Sequence, residues 1–116
     1  MDNDLLTSKQ KQMICPAKTP QPPYFAVIFT SLRTEGDNHY GETAQKMLQL
    51  AAEQPGFLGF ESARQEIGIS ISYWDSLKAI AAWKENLAHR QAQSQAKEWY
   101  RTFRVRVCRV EKEYGF

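Results

Sequence analysis

The sequence predicts an α+β domain in which two helices cover one face of a four-stranded antiparallel sheet. Tyr24–Leu32 is apolar at nearly every position, as expected for a strand covered on both faces. Two later stretches repeat apolar residues at steps of three and four, which is the spacing of an amphipathic helix. Ile69–Gln93 combines a strand, a two-residue connection and a helix in direct succession. Together these stretches indicate strands alternating with helices around one core.

The first half of the chain supplies a tail, a strand and a helix. Residues 1–23 are rich in Lys, Gln and Pro, which predicts a tail that is flexible or draped over another subunit. After the strand at 24–32, a helix is predicted over 39–53 and ends at Pro55-Gly56. Its apolar positions are Tyr40, Ala44, Met47, Leu48 and Ala51.

A hairpin is predicted to follow that helix. Phe57–Arg64 forms its first strand, and the short polar connection Gln65-Glu66 leads to a second strand that starts near Gly68. A glycine inside a strand marks a bulge or a close approach of another backbone, so we expect one of the two at Gly59.

The last third supplies a helix and a strand. Asp75-Ser76 is a good N-cap, and the helix after it is predicted to continue, straight or bent, to about Lys97. The final strand is predicted over Tyr100–Glu113. Its apolar residues change side after Val107, which predicts either a bulge near Val107-Cys108 or a strand whose outer half enters a different contact.

The resulting order of elements, βαββαβ, is that of the ferredoxin-like fold, with both helices on one face of the sheet. A chain of 116 residues has the size of one domain, here residues 24–114. Two helices leave the other face of the sheet bare, whereas the first strand is apolar on both sides. We therefore expect a homodimer in which two sheets pack face to face.

Composition excludes several classes of function. A net charge of +2 is too small to indicate binding to nucleic acid or to an anionic membrane. No apolar run has the length of a signal peptide or a membrane span. Cys15 and Cys108 lack the short spacing of a zinc or redox pair, so a reduced, cytoplasmic setting is expected. No metal-ligand cluster, glycine-rich phosphate loop or nucleophile elbow is present.

Three segments together resemble the antibiotic biosynthesis monooxygenase family, and more narrowly its small bacterial members. They are QPGFLGFESAR after the first helix, ISYWDSLKAIAAWKENLAH across the third strand and second helix, and YRTFRVRVCRVEKEY at the end. The resemblance covers roughly residues 24–114. It implies a dimeric α+β barrel with a pocket between sheet and helices in each subunit. Characterised relatives include oxygenases that oxidise polycyclic phenols without metal or flavin, and proteins that bind or degrade haem.

The candidate site residues are the aromatic residues and one histidine. Phe29, Tyr73, Trp83, Trp99 and Phe103 are the candidates to line a dry cavity, with a packed core as the alternative. Trp83 and His89 are the candidate catalytic residues, because His89 is the one plausible base in the central stretch. An unbroken helix would, however, turn His89 away from the sheet. His39 is expected at the surface.

The sequence leaves three functions open. The first is a cofactor-independent monooxygenase that acts on a small aromatic or quinol-type ligand. The second is a non-catalytic dimer that binds a small apolar ligand or serves as a structural module. The third, haem binding or degradation, is disfavoured, because Thr30 stands about where the haem-degrading branch has an asparagine and His89 follows Trp83 too closely.

Overall fold

The computed structural model describes residues 15–37, 39–89 and 96–116, apart from the side chains of residues 88 and 89. Its elements are β1 (Tyr24–Arg33), α1 (Tyr40–Ala52), β2 (Phe57–Arg64), β3 (Gly68–Trp74), α2 (Leu77–His89), α3 (Ala96–Trp99) and β4 (Tyr100–Val110). The four strands form one antiparallel sheet in the order β2-β3-β1-β4. This is the strand order of the ferredoxin-like fold, so the predicted fold class is confirmed. The homodimer stays a prediction.

Local chemistry explains where the helices begin. The Ser76 hydroxyl accepts a hydrogen bond from the Ala79 amide at 3.1 Å, which makes Ser76 the N-cap of α2 as the sequence predicts. At α1, the Asp37 carboxylate accepts from the Gly41 amide at 3.3 Å. His39, with φ 63°, lies exposed at the start of that helix.

Gly56 fixes the junction between α1 and β2. Its φ of +88° is in the left-handed region that favours glycine, and its carbonyl accepts from the Asp75 amide at 2.8 Å. A Cβ at this position would lie 2.5 Å from Asp75 Oδ1 and 2.6 Å from Ala79 Cβ. The end of α1 and the start of α2 therefore meet at a point where no side chain fits.

Two predictions about irregular positions have different outcomes. The register between β2 and β3 shifts between Phe57 and Gly59, and a Cβ on Gly59 would lie 2.9 Å from Ala17 Cβ. Gly59 therefore marks both a bulge and a close approach. The bulge predicted near Val107-Cys108 is wrong, because β1 and β4 pair without interruption through that region. Their register shifts instead at Leu32/Arg33.

The prediction that α2 extends to about Lys97 is only partly testable. The helix ends at His89, residues 90–95 lie outside the described part, and the separate one-turn helix α3 spans Ala96–Trp99. β4 then starts at Tyr100 as predicted, but it ends at Val110 rather than at Glu113.

The segment before β1 lies against the sheet. The Ala17 amide donates to Glu61 Oε2 at 2.9 Å, and Thr19 and Tyr24 form hydrogen bonds with Glu113 Oε2 at 3.0 and 3.1 Å. Residues 1–14, including the apolar tail residues Leu5, Leu6, Met13 and Ile14, lie outside the described part.

Candidate functional site

Register assigns every strand residue to one of two faces. Directly paired residues in an antiparallel sheet point to the same side, so the pairs that include Trp74 identify one face. Trp74 stacks on Trp83 of α2, with ring centroids 6.4 Å apart. This side is therefore the helix face, and the opposite side is called the open face below.

The helix face consists of four rows of residues that run across the sheet in the order β2, β3, β1, β4. The rows are Phe57-Trp74-Phe25-Arg109, Phe60-Ser72-Val27-Val107, Ser62-Ser70-Phe29-Val105 and Arg64-Gly68-Ser31-Phe103. The first and last rows are six residues apart along β3, which corresponds to about 20 Å.

Small residues of β3 form a continuous line along this face. Gly68, Ser70 and Ser72 occupy the middle of three consecutive rows, between the larger side chains Phe60 of β2 and Phe29 of β1. We call this strip the serine trough. Ser70, Ser72, Phe29 and Phe60 are all partly exposed, so the trough is open to solvent rather than sealed as a core.

An indole pair closes one end of the trough. Trp74 is fully buried, packs edge-on against Phe57 at 5.4 Å and donates from Nε1 to the Ser72 hydroxyl at 2.9 Å. Trp83 covers it from α2. The indole N–H is thereby satisfied inside an apolar wall, which fixes the orientation of both rings.

A folded-back arginine closes the other end. Arg64 Nη2 donates to the Ser31 hydroxyl and Nη1 donates to the Ser31 carbonyl at 3.4 Å, so its side chain crosses β3 to reach β1. It passes over Gly68, where a Cβ would lie 2.1 Å from the guanidinium carbon. Ser31 is 2% exposed, and the arginine supplies the partner that its buried hydroxyl needs.

A pair of tyrosines lies next to this arginine. Burial raises the pKa of Tyr100 above its ordinary value of 10.0, and its hydrogen bond with Tyr40 raises it further. The positive charges of Arg64 and Arg33 act in the opposite direction. The Arg33 guanidinium lies 3.6 Å from the centre of the Tyr40 ring. At neutral pH the Tyr100 hydroxyl therefore keeps its proton.

The structure brings some of the predicted pocket residues together and separates others. Phe29 stacks on Phe103 with centroids 5.4 Å apart, near the arginine end of the trough. Trp99 is buried against Tyr40 at 5.8 Å. Trp83 is at the indole end.

Tyr73 is on the open face. It pairs with Ala26 and Gly59, its hydroxyl donates to Glu61 Oε1, and its ring contacts Tyr24 at 5.8 Å. It therefore cannot share a pocket with Phe29. His89 is the last residue of α2, and its side chain lies outside the described part.

Sequence reasoning missed the residues that shape the trough. The alternation of serine with isoleucine in β3 indicates two different faces but not which of them the helices cover. Nothing in the sequence around Arg64 predicts that its side chain folds over the sheet. Gly68 is the residue that could have indicated it, because a glycine opposite the end of β2 leaves room for a side chain to cross β3.

The profile of the antibiotic biosynthesis monooxygenase family matches residues 23–95, which is more than half of the chain. The chain belongs to the antibiotic biosynthesis monooxygenase family. A relative of this chain, the uncharacterised protein YqjZ of Bacillus subtilis (strain 168), is 49% identical over 103 residues, which cover 86% of this chain and 90% of that protein.

Solved structures share the fold of this antibiotic biosynthesis monooxygenase family member. A variant of SnoaB, a cofactor-independent oxygenase from Streptomyces nogalater, superposes with a TM-score of 0.68 at 11% identity, covering 78% of this chain and 95% of that one. A putative antibiotic biosynthesis monooxygenase from Nitrosomonas europaea gives 0.62 at 14% identity, covering 84% and 96%. At these identities the comparison supports the fold alone.

Two further observations concern membranes and metal ions. No helix within residues 15–37, 39–89 and 96–116 is long and apolar enough to cross a bilayer. In the same residues no group of three or more His, Cys, Asp or Glu side chains is placed to hold a metal ion.

Proposed function

We propose that this protein is a cofactor-independent monooxygenase that oxidises a small aromatic, quinol-type substrate in the serine trough. The observation that carries the proposal is the trough itself: a strip of small residues on the helix face, partly exposed at Ser70 and Ser72 and flanked by the rings of Phe60 and Phe29. Membership of the family and the shared fold with an oxygenase that needs no cofactor support the same assignment.

The dimensions of the trough suit a fused-ring substrate. The strip from Gly68 to Ser72 spans four residue steps, about 13 Å, which is the length scale of two or three fused rings, and Phe60 and Phe29 flank it. Aromatic walls favour offset or edge-on contact with a flat ring, as Phe29 and Phe103 already show with each other. The serine hydroxyls supply hydrogen-bonding partners along the floor for ring oxygens.

The reaction balances with oxygen as the one co-substrate. A ring CH₂ group flanked by aromatic rings loses a proton, and the resulting carbanion transfers electrons to O₂ to form a C–O bond. One oxygen atom stays on the ring as a carbonyl and the other leaves as water with both hydrogens. The substrate supplies all of the electrons, so neither a flavin nor a metal is required by this stoichiometry.

Trp83 and His89 keep their proposed roles in this scheme. Trp83 shapes the closed end of the trough by covering Trp74. His89 would accept the substrate proton, since an imidazole is a proton acceptor near neutral pH.

Oxygen uptake tests the proposal. The purified protein should consume O₂ with anthrone or a dihydroxynaphthalene, and Trp83→Phe and His89→Ala should each lower the rate by at least about tenfold, within the range for general base catalysis. His39→Ala is the matched control, because it removes the other histidine at an exposed position. Uptake that is unaffected by either substitution would refute the roles assigned here, and no uptake with any such substrate would refute the oxygenase.

A non-catalytic binding module is the second candidate function. The observation that favours it is the chemistry of the described trough, which presents serines, a protonated tyrosine and an arginine but no carboxylate within its rows. Saturable binding of an aromatic ligand by a protein that consumes no oxygen would select this candidate.

Both candidates include a homodimer in the cytoplasm as part of the proposal. The apolar residues of the open face support the dimer, and two free cysteines, Cys15 and Cys108, support a reducing compartment.

A further inference from the structure

We propose that Arg64 makes this site selective for aromatic ligands that carry an ionised oxygen on the ring, such as a phenolate, an enolate or an aromatic carboxylate. The proposal rests on the proposed function for the location of the site and adds the substrate class and the residue that determines it. It follows from where the guanidinium lies, what it is bonded to and which rings surround it.

The Arg64 side chain is exposed, but two hydrogen bonds hold its guanidinium over the sheet. Its two hydrogen bonds to Ser31 draw it from the edge strand β2 across β3 to the central strand β1. Gly68 makes this path possible, since any side chain there would meet the guanidinium carbon, Nη2 and Nε. A mobile surface arginine would need neither the glycine nor the serine.

The charge of Arg64 has no carboxylate partner in the described part of the chain. The ion pairs found there are Lys46 with Glu42 and Arg109 with Glu111, both on exposed side chains. Arg64 instead bonds two neutral oxygens of one residue. The guanidinium has five N–H donors, so donors remain to bind an incoming anion.

Aromatic rings lie beside that charge. Phe103 is in the same row as Arg64 on the helix face, and its ring contacts Phe29 at 5.4 Å and Tyr100 at 6.1 Å. The Tyr100 hydroxyl, also close to the arginine, keeps its proton at neutral pH and shares it in a hydrogen bond with Tyr40. A flat ring held against these side chains would place a ring oxygen within the field of the guanidinium.

The position of Arg64 also affects the ionisation of the substrate in the proposed oxidation. An arginine that stabilises an ionised oxygen favours the anionic form of the substrate, and that form is the one that gives up electrons to O₂. The arginine would thereby assist the deprotonation for which His89 is the proposed base.

Calorimetric titration with two ligands of the same shape tests the inference. We expect 1-hydroxy-2-naphthoate to bind roughly tenfold more tightly than the neutral 1-hydroxy-2-naphthamide, the difference that one hydrogen bond to a charged group gives. Arg64→Gln should reduce the preference to about threefold or less, because glutamine carries no charge.

Two further variants separate charge from fold. Gly68→Ala keeps the arginine but displaces its guanidinium, and should lose the preference as Arg64→Gln does. Arg109→Gln removes the same charge from the far row of the same face, where its partner is the exposed Glu111, and should keep the full preference. Arg64→Lys should recover part of it.

Equal affinities for the two naphthalenes, binding of neither, or a preference that survives Arg64→Gln would each overturn the inference. Its failure is distinguishable from that of the proposed function. Preferential binding of the naphthoate without oxygen uptake on any phenol would overturn the oxygenase and leave the inference standing. Oxygen uptake with no preference would do the reverse.

Discussion

Along strand β3, the two faces of the sheet reverse the usual distribution of polar and apolar residues. Strand β3 directs Ser70 and Ser72 toward the helices and Ile69 and Ile71 toward the open face, which no helix of the described residues covers. A strand with one wet side normally does the opposite. The difference indicates that the helix face encloses a usable space and that the open face is built to be covered.

The degree of burial supports this comparison. On the helix face, tight packing is concentrated at the indole end, where Trp74 is fully buried. Phe103, Val105 and Val107 of the same face are 48%, 48% and 50% exposed. The helices therefore cover β2, β3 and β1 more than β4. On the open face Ile69 is 41% exposed within a single subunit.

The largest expected effect comes from removing the packed end of the helix face. Trp74→Ala should lower the free energy of unfolding by about 3–5 kcal/mol, because it deletes a fully buried ring that contacts Phe57 and Trp83. Urea denaturation followed by circular dichroism measures the loss. A cost below about 1 kcal/mol would show that the indole pair is not the packing centre of this face.

The next effect tests the junction that brings the helices to the sheet. Gly56→Ala should cost about 2 kcal/mol, because alanine would be strained at φ +88° and would meet Ala79 and Asp75. Gly36→Ala is the matched control, since its φ is +78° but nothing lies within 4 Å of the added Cβ. If the two variants unfold at the same urea concentration, the close fit at Gly56 contributes nothing beyond backbone strain.

A charge on the open face tests whether a second subunit covers it. Ile71→Lys should cost a single subunit only about 1 kcal/mol but should abolish association, because an unpaired ammonium would be buried between two sheets. Sedimentation velocity at micromolar concentration measures the oligomeric state. Ser62→Lys, at an exposed position on the helix face, should sediment as the parent does. A parent protein that sediments as a monomer would overturn the predicted dimer.

The smallest effect concerns a tyrosine of the open face and appears only in alkali. Burial and the hydrogen bond to Glu61 raise the pKa of Tyr73 above 10.0, so the folded protein holds this proton more tightly than the unfolded chain. Stability should therefore fall as the pH rises above about 10. Tyr73→Phe should cost about 1 kcal/mol at neutral pH and flatten the alkaline decline. Tyr114→Phe, 95% exposed, should leave the decline unchanged.

Sequence patterns predicted the order and most boundaries of the elements, because each boundary has a local chemical cause. Ser76 caps α2, and Pro55-Gly56 separates α1 from β2. The error at Val107-Cys108 has an equally clear origin. Cys108 and Val110 are on the open face, which takes apolar residues as well, so the change of side needs no bulge.

The candidate site was less predictable than the fold, because it depends on relations between strands. Assigning Ser70 and Ser72 to the helix face requires the contact between Trp74 of β3 and Trp83 of α2. The residue pattern of β3 alone does not reveal that contact. Placing Arg64 requires knowing that Gly68 and Ser31 are its successive neighbours across the sheet. Periodicity within one strand contains neither relation.

The contact of Ala17 with Gly59 has a practical consequence for handling the protein. The stretch shared with the family begins at residue 23, yet the Ala17 amide already occupies one oxygen of Glu61. A chain shortened to the shared stretch would lack the segment that contains Ala17. That segment lies against the open face, through which two copies are expected to associate. Affinity tags are therefore better joined at the C-terminus, where Phe116 is fully exposed, than close before Ala17.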